Sequence, residues 1–426
     1  MKVKKIDGPY ALLAIPDFRN FLTSRLLLFI GLEIQAIIIG WQLYQITHDP
    51  LTLGLVGLFE ALPALAVAPF AGHFADTHDR RTIIRNALFV AVITSFALVI
   101  ISLNANLLTS NLIVSAIYVI ILIQGFARGF AGPSMSAFVT QLIPREKIAQ
   151  SAALNSSSWI MGSIAGPALG GLIYGFTNAT TAYSVGATIL AISFLSILRI
   201  KSYPMQRGID TKESFRHSLF GGWKFVRSNQ LILAPIAMDM FAVFFGGAVA
   251  ILPVFASDIL RVGAGGLGIL RTAPAIGAIA MGLYLTHNPM RGKMGSKLLL
   301  AVCGFGISII IFAVSKNFYL SFFALGLSGM FDNVSVIIRS TVIQLVTPDN
   351  KRGRTSAIDS MFIITSNEIG AFESGTAAKL MGAVPSVIFG GCMTILTVGA
   401  TALLAPKLRS ATFEELQQRP NPTSSQ

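Results

Sequence analysis

Long apolar stretches separated by short polar gaps follow one another from about residue 18 to residue 405. A helix that crosses a bilayer needs about 20 mainly apolar residues. Runs of about that length lie at 18–46, 52–72, 82–103, 110–140, 150–174, 180–199, 231–256, 264–286, 296–315, 318–345, 354–379 and 385–405. The pattern predicts an all-α membrane protein with 12 transmembrane helices. The longest polar gap, 200–230, carries Lys201, Arg207, Lys212, Arg216, Lys224 and Arg227 and follows Arg199. It divides the chain into an N-terminal six-helix bundle at 1–199, a central cytoplasmic loop at 200–230 and a C-terminal six-helix bundle at 231–405. The segment 406–426 is polar and is expected to be a frayed cytoplasmic tail.

The placement of basic residues gives an orientation. The two termini and the gaps after the even-numbered helices, with their adjoining turns, hold 24 Lys and Arg, whereas the gaps after the odd-numbered helices hold only Arg261, Lys316 and Lys379. Basic residues accumulate on the cytoplasmic side of membrane proteins. Both termini are therefore expected in the cytoplasm of a bacterial inner membrane, where the basic loops meet anionic lipid.

Composition agrees with the pattern. Charged residues make up 12% of the chain, hydrophobic residues 53%, and mean hydropathy is +0.69. Soluble domains carry roughly a quarter charged residues, so most of this surface faces something other than water. The net charge of +13 then reports cytoplasmic loops rather than a nucleic-acid partner. Cys303 and Cys392 both sit inside apolar runs, and the five His are scattered, so neither a disulfide framework nor a metal site is expected. No cofactor is called for.

The two halves resemble each other. Gly57, Glu60, Pro63 and Ala64 recur at an offset of 211 as Gly268, Arg271, Pro274 and Ala275. Near an offset of 204, Gly125, Gln141-Leu142 and Pro144 return as Gly329, Gln344-Leu345 and Pro348, and Ala153-Leu154-Asn155-Ser156 returns as Ala357-Ile358-Asp359-Ser360. Gly166 and Gly171 return as Gly370 and Gly375. Two pseudo-symmetric six-helix bundles follow, an arrangement that places a solute site near the midplane.

The gap after the second helix reads Gly72-His73-Phe74-Ala75-Asp76-Thr77-His78-Asp79-Arg80-Arg81. It resembles the G-x-x-x-D-x-x-x-R-[RK] signature of the major facilitator superfamily. The fifth helix carries Gly162-Ser163-Ile164-Ala165-Gly166-Pro167-Ala168-Leu169-Gly170-Gly171, similar to the G-x-x-x-G-P-x-x-G-G pattern of that superfamily's drug:proton antiporters. Phe18-Arg19, Arg25, Thr47-His48, residues 141–146 and 152–156, and Arg352-Gly353-Arg354 resemble one bacterial branch, that of the enterobactin exporter and drug efflux proteins. The resemblance implies proton-driven efflux. It also implies that Gly72, Asp76, Arg80 and Arg81 form a cytoplasmic latch. Gly162, Gly166, Pro167, Gly170 and Gly171 would form a seam between the bundles. There is one departure: of the R-x-x-Q-G proton-coupling pattern, Gln124 and Gly125 remain, but Ile121 stands at the arginine position. Arg128, two turns further along the same face, is a candidate substitute.

Charges inside spans cost several kcal/mol unless paired or wet. The candidates for a proton or substrate cavity are Arg25, Glu33, Glu60, Gln124, Arg128, Asp239, Arg271, Asp332, Arg339, Glu368 and Glu373. Glu60 matches Arg271, and Arg128 matches Asp332, so equivalent positions carry opposite charge. This suggests a common cleft, with Arg128 and Asp332 as exchange partners. Glu33, Glu60, Asp239, Glu368 and Glu373 are candidate proton carriers, Glu33 and Glu368 foremost. Phe241, Phe244 and Phe245 are candidates for an aromatic pocket wall.

The reading is a secondary transporter, expected to be a monomer, that exports an amphipathic siderophore or drug-like molecule against protons. A transporter-like sensor and an importer remain the alternatives. No G-x-x-x-x-G-K-[ST] loop for ATP, and no H-E-x-x-H or G-x-S-x-G cluster for an intramembrane enzyme, occurs in the chain.

Overall fold

The computed structural model describes residues 11–203, 223–413 and Glu415. Its long helices are α1 (Pro16–Thr47), α2 (Pro50–Thr77), α3 (Arg80–Leu103), α4 (Ser110–Leu142), α5 (Ile148–Phe176), α6 (Ala179–Leu198), α7 (Gln230–Phe245), α8 (Gly263–His287), α9 (Met294–Val314), α10 (Phe318–Val346), α11 (Asp349–Met381) and α12 (Ala383–Leu404). Eleven are long and apolar enough to cross a membrane, with α7 counted through its broken continuation to Ile259. The twelfth, α11, misses that standard because Arg352, Arg354, Asp359, Glu368, Glu373 and Lys379 lie along it. Among the described residues the sole β pairing is an isolated bridge between Lys293 and Thr412. The central loop falls largely outside the described residues.

The helix starts are set by polar caps that satisfy otherwise orphaned N–H groups. Asp79 accepts from Arg81 N and from the Thr82 hydroxyl. Asn178 accepts from Thr181 N, Asn229 from Leu231 N, and Asn317 from Tyr319 N and Leu320 N. Between the caps the helices are apolar on nearly every face. Leu300 is 71% exposed, Phe70 68% and Leu396 63%. Such a surface suits lipid rather than water.

The chain divides into two compact units. Among the described residues, unit one comprises 11–48, 59–203 and 262–272; unit two comprises 49–58, 223–261, 273–413 and Glu415. In unit one, α1 packs on α5 and α6, and α3 packs on α4 and α6. Phe18, Phe21, Phe138, Leu142, Ile197 and Ile200 form its core at one end. Beside them the Tyr203 hydroxyl donates to Asp17 at 2.6 Å. Burial, together with that carboxylate, pushes the phenol up to about 12 and keeps it a donor.

In unit two, α9 packs on α10 and α12, while α11 packs on α7 and α12. Of the tail expected to fray, residues 406–413 join this core, and the rest lies almost wholly outside the described residues: Pro406–Ser410 is helical, and Leu408 and Phe413 are buried with Met294, Leu298, Ile338 and Val342. Leu408 and Phe413 provide the apolar contacts that hold it.

Candidate functional site

Two groups of polar side chains lie within the helices, one in each unit. In unit one, Gln35 of α1 donates to the Ser95 hydroxyl of α3 at 2.5 Å, and Gln124 of α4 donates to Thr94 at 3.0 Å and Gln35 at 3.4 Å. Ile121, at the position where the superfamily pattern has arginine, is buried and apolar. Arg128 forms an ion pair with Glu60 of α2. The base of α4 thus meets an acid of its own unit. The two side chains are 53% and 32% exposed. Arg128→Glu alone is expected to lower transport, and adding Glu60→Arg to recover most of it, with thermal midpoints nearly unchanged. No recovery in the swapped pair would show that the contact is dispensable.

Arg25 of α1 stacks its guanidinium 5.5 Å from the Phe29 ring centroid, and its Nε is buried without a hydrogen-bond partner. Glu33, two turns on, sits directly over Gly166: a Cβ at 166 would fall 2.4 Å from Glu33 Cβ. The glycine pattern of α5 thus splits into two contacts. Gly162, Gly166 and Gly170 face Phe29, Glu33 and Ile34 of α1. Gly171 faces the first turns of α8, its Cβ position lying 2.6 Å from both Gly268 Cα and Ala264 O, and the Pro167 carbonyl approaches Gly268. Arg271 follows Gly268 by three residues on α8, within the stretch that groups with unit one.

The signature after α2 is described in part. A Cβ on Gly72 would meet open space. The side chain of Asp76 lies outside the described residues. Arg80 donates to the carbonyls of Ala75 and Ala137, and Arg81 to that of Leu198 at 2.9 Å. The two arginines bind carbonyls near the C-terminal ends of α2, α4 and α6, where a cation complements the helix dipole.

The second group lies in unit two, where α7, α10 and α11 meet. Arg339 of α10, 4% exposed, forms an ion pair with Asp239 of α7, 5% exposed. Its Nε lies 3.3 Å from Asp359 Oδ1 of α11. The Ser335 hydroxyl donates to Asp239 Oδ1 at 3.3 Å. Asp332, Ser335 and Arg339 recur at three- and four-residue steps on one face of α10. Asp239, Asp332 and Ser335 line a cavity of about 10 Å³.

Sequence reasoning named Asp239, Asp332 and Arg339 but missed Asp359. The signal was present in the repeat: Asp359 stands where the first half carries neutral Asn155. Glu368 and Glu373 of α11 lie outside this triad. The Glu368 carbonyl approaches Gly57 of α2, and the Ser374 hydroxyl donates to Glu373 at 3.5 Å. Phe241, Phe244 and Phe245 cluster with one another and, through Phe245, with Phe389 of α12.

A model of the transmembrane secretion effector family, MFS_3, matches residues 7–424. The chain belongs to this family. It is a multi-pass membrane transporter of the major facilitator type. The family is one of transporters, not of enzymes. The enterobactin exporters EntS of Shigella boydii serotype 18 and Escherichia coli O1:K1 are each 26% identical to it over 393 residues, covering 91% of this chain and 91% of theirs. A mutant of the nucleoside transporter NupG superposes with a TM-score of 0.72 at 13% identity, over 91% of this chain and 99% of that chain. A bacterial homologue of the iron transporter ferroportin, in an inward-facing state, gives 0.69 at 14% identity, over 94% and 99%. The structural likenesses establish the fold of this family member, and the solute is argued from its own residues.

Proposed function

We propose that this chain works by alternating access as a monomeric, proton-coupled exporter of an anionic, amphipathic molecule of the siderophore class. Both termini face the cytoplasm of a bacterial inner membrane. The observation that carries alternating access is a close helix crossing built twice. Gly57 of α2 meets the Glu368 carbonyl and the Ala371 side chain of α11, and its repeat equivalent, Gly268 of α8, meets Pro167 and Gly171 of α5. The partners match as well, since Gly171 is the equivalent of Gly375, which packs on Gly54. Such crossings bring backbone against backbone with at most a methyl group between, and can part and reform as units.

The solute class rests on two supports. The relatives named as enterobactin exporters align along nearly all of the chain. Arg25 offers a cation with an aromatic ring beneath it and no carboxylate partner among the described residues. A guanidinium over a ring suits an anionic aromatic group. Asp76, Arg80 and Arg81 serve in this reading as the cytoplasmic latch.

A deletion strain grown without iron is expected to release less siderophore into the medium, and wild-type protein to restore it. Arg25→Gln is expected to restore about a tenth or less, because losing a charge-assisted hydrogen bond costs about 1.5–3 kcal/mol. Normal secretion by the deletion strain would remove the siderophore reading. Raised sensitivity to cationic drugs with normal secretion would replace it with drug efflux. Export that is indifferent to a pH gradient in liposomes would remove proton coupling.

A further inference from the structure

We infer that the coupling proton is held in unit two by Asp332 and Asp239, and that Arg339 reports its position by exchanging Asp239 for Asp359. The inference rests on the proton-coupled reading above and locates the proton.

Charge balance is the first argument. Asp239 and Asp359 both contact the one guanidinium, Arg339, and Asp332 shares a cavity with Asp239; Asp239 and Arg339 are both at most 5% exposed. With all three acids ionised the cluster would hold two uncompensated negative charges inside a helical bundle. Such charges are far more costly than neutral carboxyls, so the cluster retains a proton. Among the described residues, the cavity lining adds no cation. From α9 only Val302 and Phe305 reach the cavity; from α7 only Asp239 is charged, with Ala242 and Val243 beside it. On α11, Lys351, Arg352 and Arg354 lie eight, seven and five residues before Asp359, toward the helix start, and Glu368 and Glu373 lie nine and fourteen residues beyond it. The free thiols are Cys303 of α9, half-buried, and Cys392 of α12, exposed.

Geometry is the second argument. Asp332 and Asp239 line one cavity of about 10 Å³, enough for about one water, with the Ser335 hydroxyl as a third polar partner. The proton can pass from the Asp332 carboxyl through that water to the Asp239 carboxylate. One carboxyl is lost, one is gained, and no other bond changes.

The third argument is the asymmetry around Arg339. Its contact with Asp239 is an ion pair supported by Ser335. Its contact with Asp359 is 3.3 Å long, and Asp359 Oδ1 is buried without a hydrogen-bond partner. Arg339 thus has one satisfied partner and one waiting. Protonating Asp239 removes the first and leaves the guanidinium to Asp359, shifting α10 from α7 toward α11. This is a two-position element that a single proton can bias.

The test needs no solute. Purified full-length protein in phospholipid is titrated across the neutral range, and the C=O band of protonated carboxyls is followed by infrared difference spectroscopy. Asp332→Asn is expected to remove one titrating component. Asp239→Asn is expected to remove or shift the same one, and Asp332→Glu to retain it. A titrating band identical to wild type in both asparagine variants would overturn the proposal. So would its persistence in Asp332→Asn alone. Failure of the broader reading is a separate result: the band behaves as expected, yet wild-type export ignores an imposed pH gradient.

Discussion

Replacing Arg339 with methionine is expected to destabilise the protein by about 3–5 kcal/mol and to abolish transport. The side chains of Arg339 and Asp239 are only 5% and 8% exposed, so removing the base strands a buried acid. Breaking a buried ion pair from one side carries a cost of that size, because the remaining charge keeps its desolvation penalty and loses its partner. Asp359, with its Oδ1 already lacking a hydrogen bond, would lose its contact with the guanidinium as well. Removing all the charges at once should be much milder. A triple variant, Asp239→Asn, Arg339→Met and Asp359→Asn, is expected to melt close to wild type while remaining inactive. Thermal unfolding followed in detergent checks both statements. A single Arg339→Met variant as stable as wild type would mean that the pair contributes nothing to the fold.

Leucine at Gly268 or Gly375 is expected to reduce transport about 5- to 150-fold while leaving a folded protein. A Cβ at 268 would lie 2.4 Å from the Pro167 carbonyl oxygen, and one at 375 would lie 2.7 Å from Gly54 Cα and 2.9 Å from the Pro50 carbonyl oxygen. These neighbours are backbone and cannot rotate aside. Overpacking typically costs about 1–3 kcal/mol. Where the crossing exists in one state of the cycle, that cost depletes the state by the factor above. Leucine at Gly399, where a Cβ meets open space, is the comparison and is expected to be silent. Transport rates measured beside thermal midpoints separate the two positions from it. Wild-type rates in both crossing variants would mean that the helices need not approach so closely.

The repeat was legible before the contacts were, and it gave more than any single motif. It matched Gly57 with Gly268 and Gly171 with Gly375, and in the folded chain these four residues make the two equivalent crossings. It also set opposite charges at Glu60 and Arg271, and at Arg128 and Asp332. What it could not give was pairing, since Arg128 answers Glu60 and Arg339 answers Asp239. Complementary signs say which residues can pair in principle; distance decides which do. The glycines of α5 make the same point. Their four-residue spacing fixes a common face, but that the face meets α1 while Gly171 turns to α8 depends on how the helices cross.

Sequence by itself determined the helices, because spanning length is a local requirement that each segment meets alone. It also gave most of the intramembrane charges, Asp359 being the one it passed over. The tertiary structure decided that Asp359 completes the cluster of unit two, that Ile121 is plain core, and that residues 406–413 pack on the core of unit two. Those outcomes arise where helices remote in the chain come within a few ångströms of each other. A buried charge is stabilised there by whichever opposite group the packing delivers, and nothing in the local sequence records which one that is.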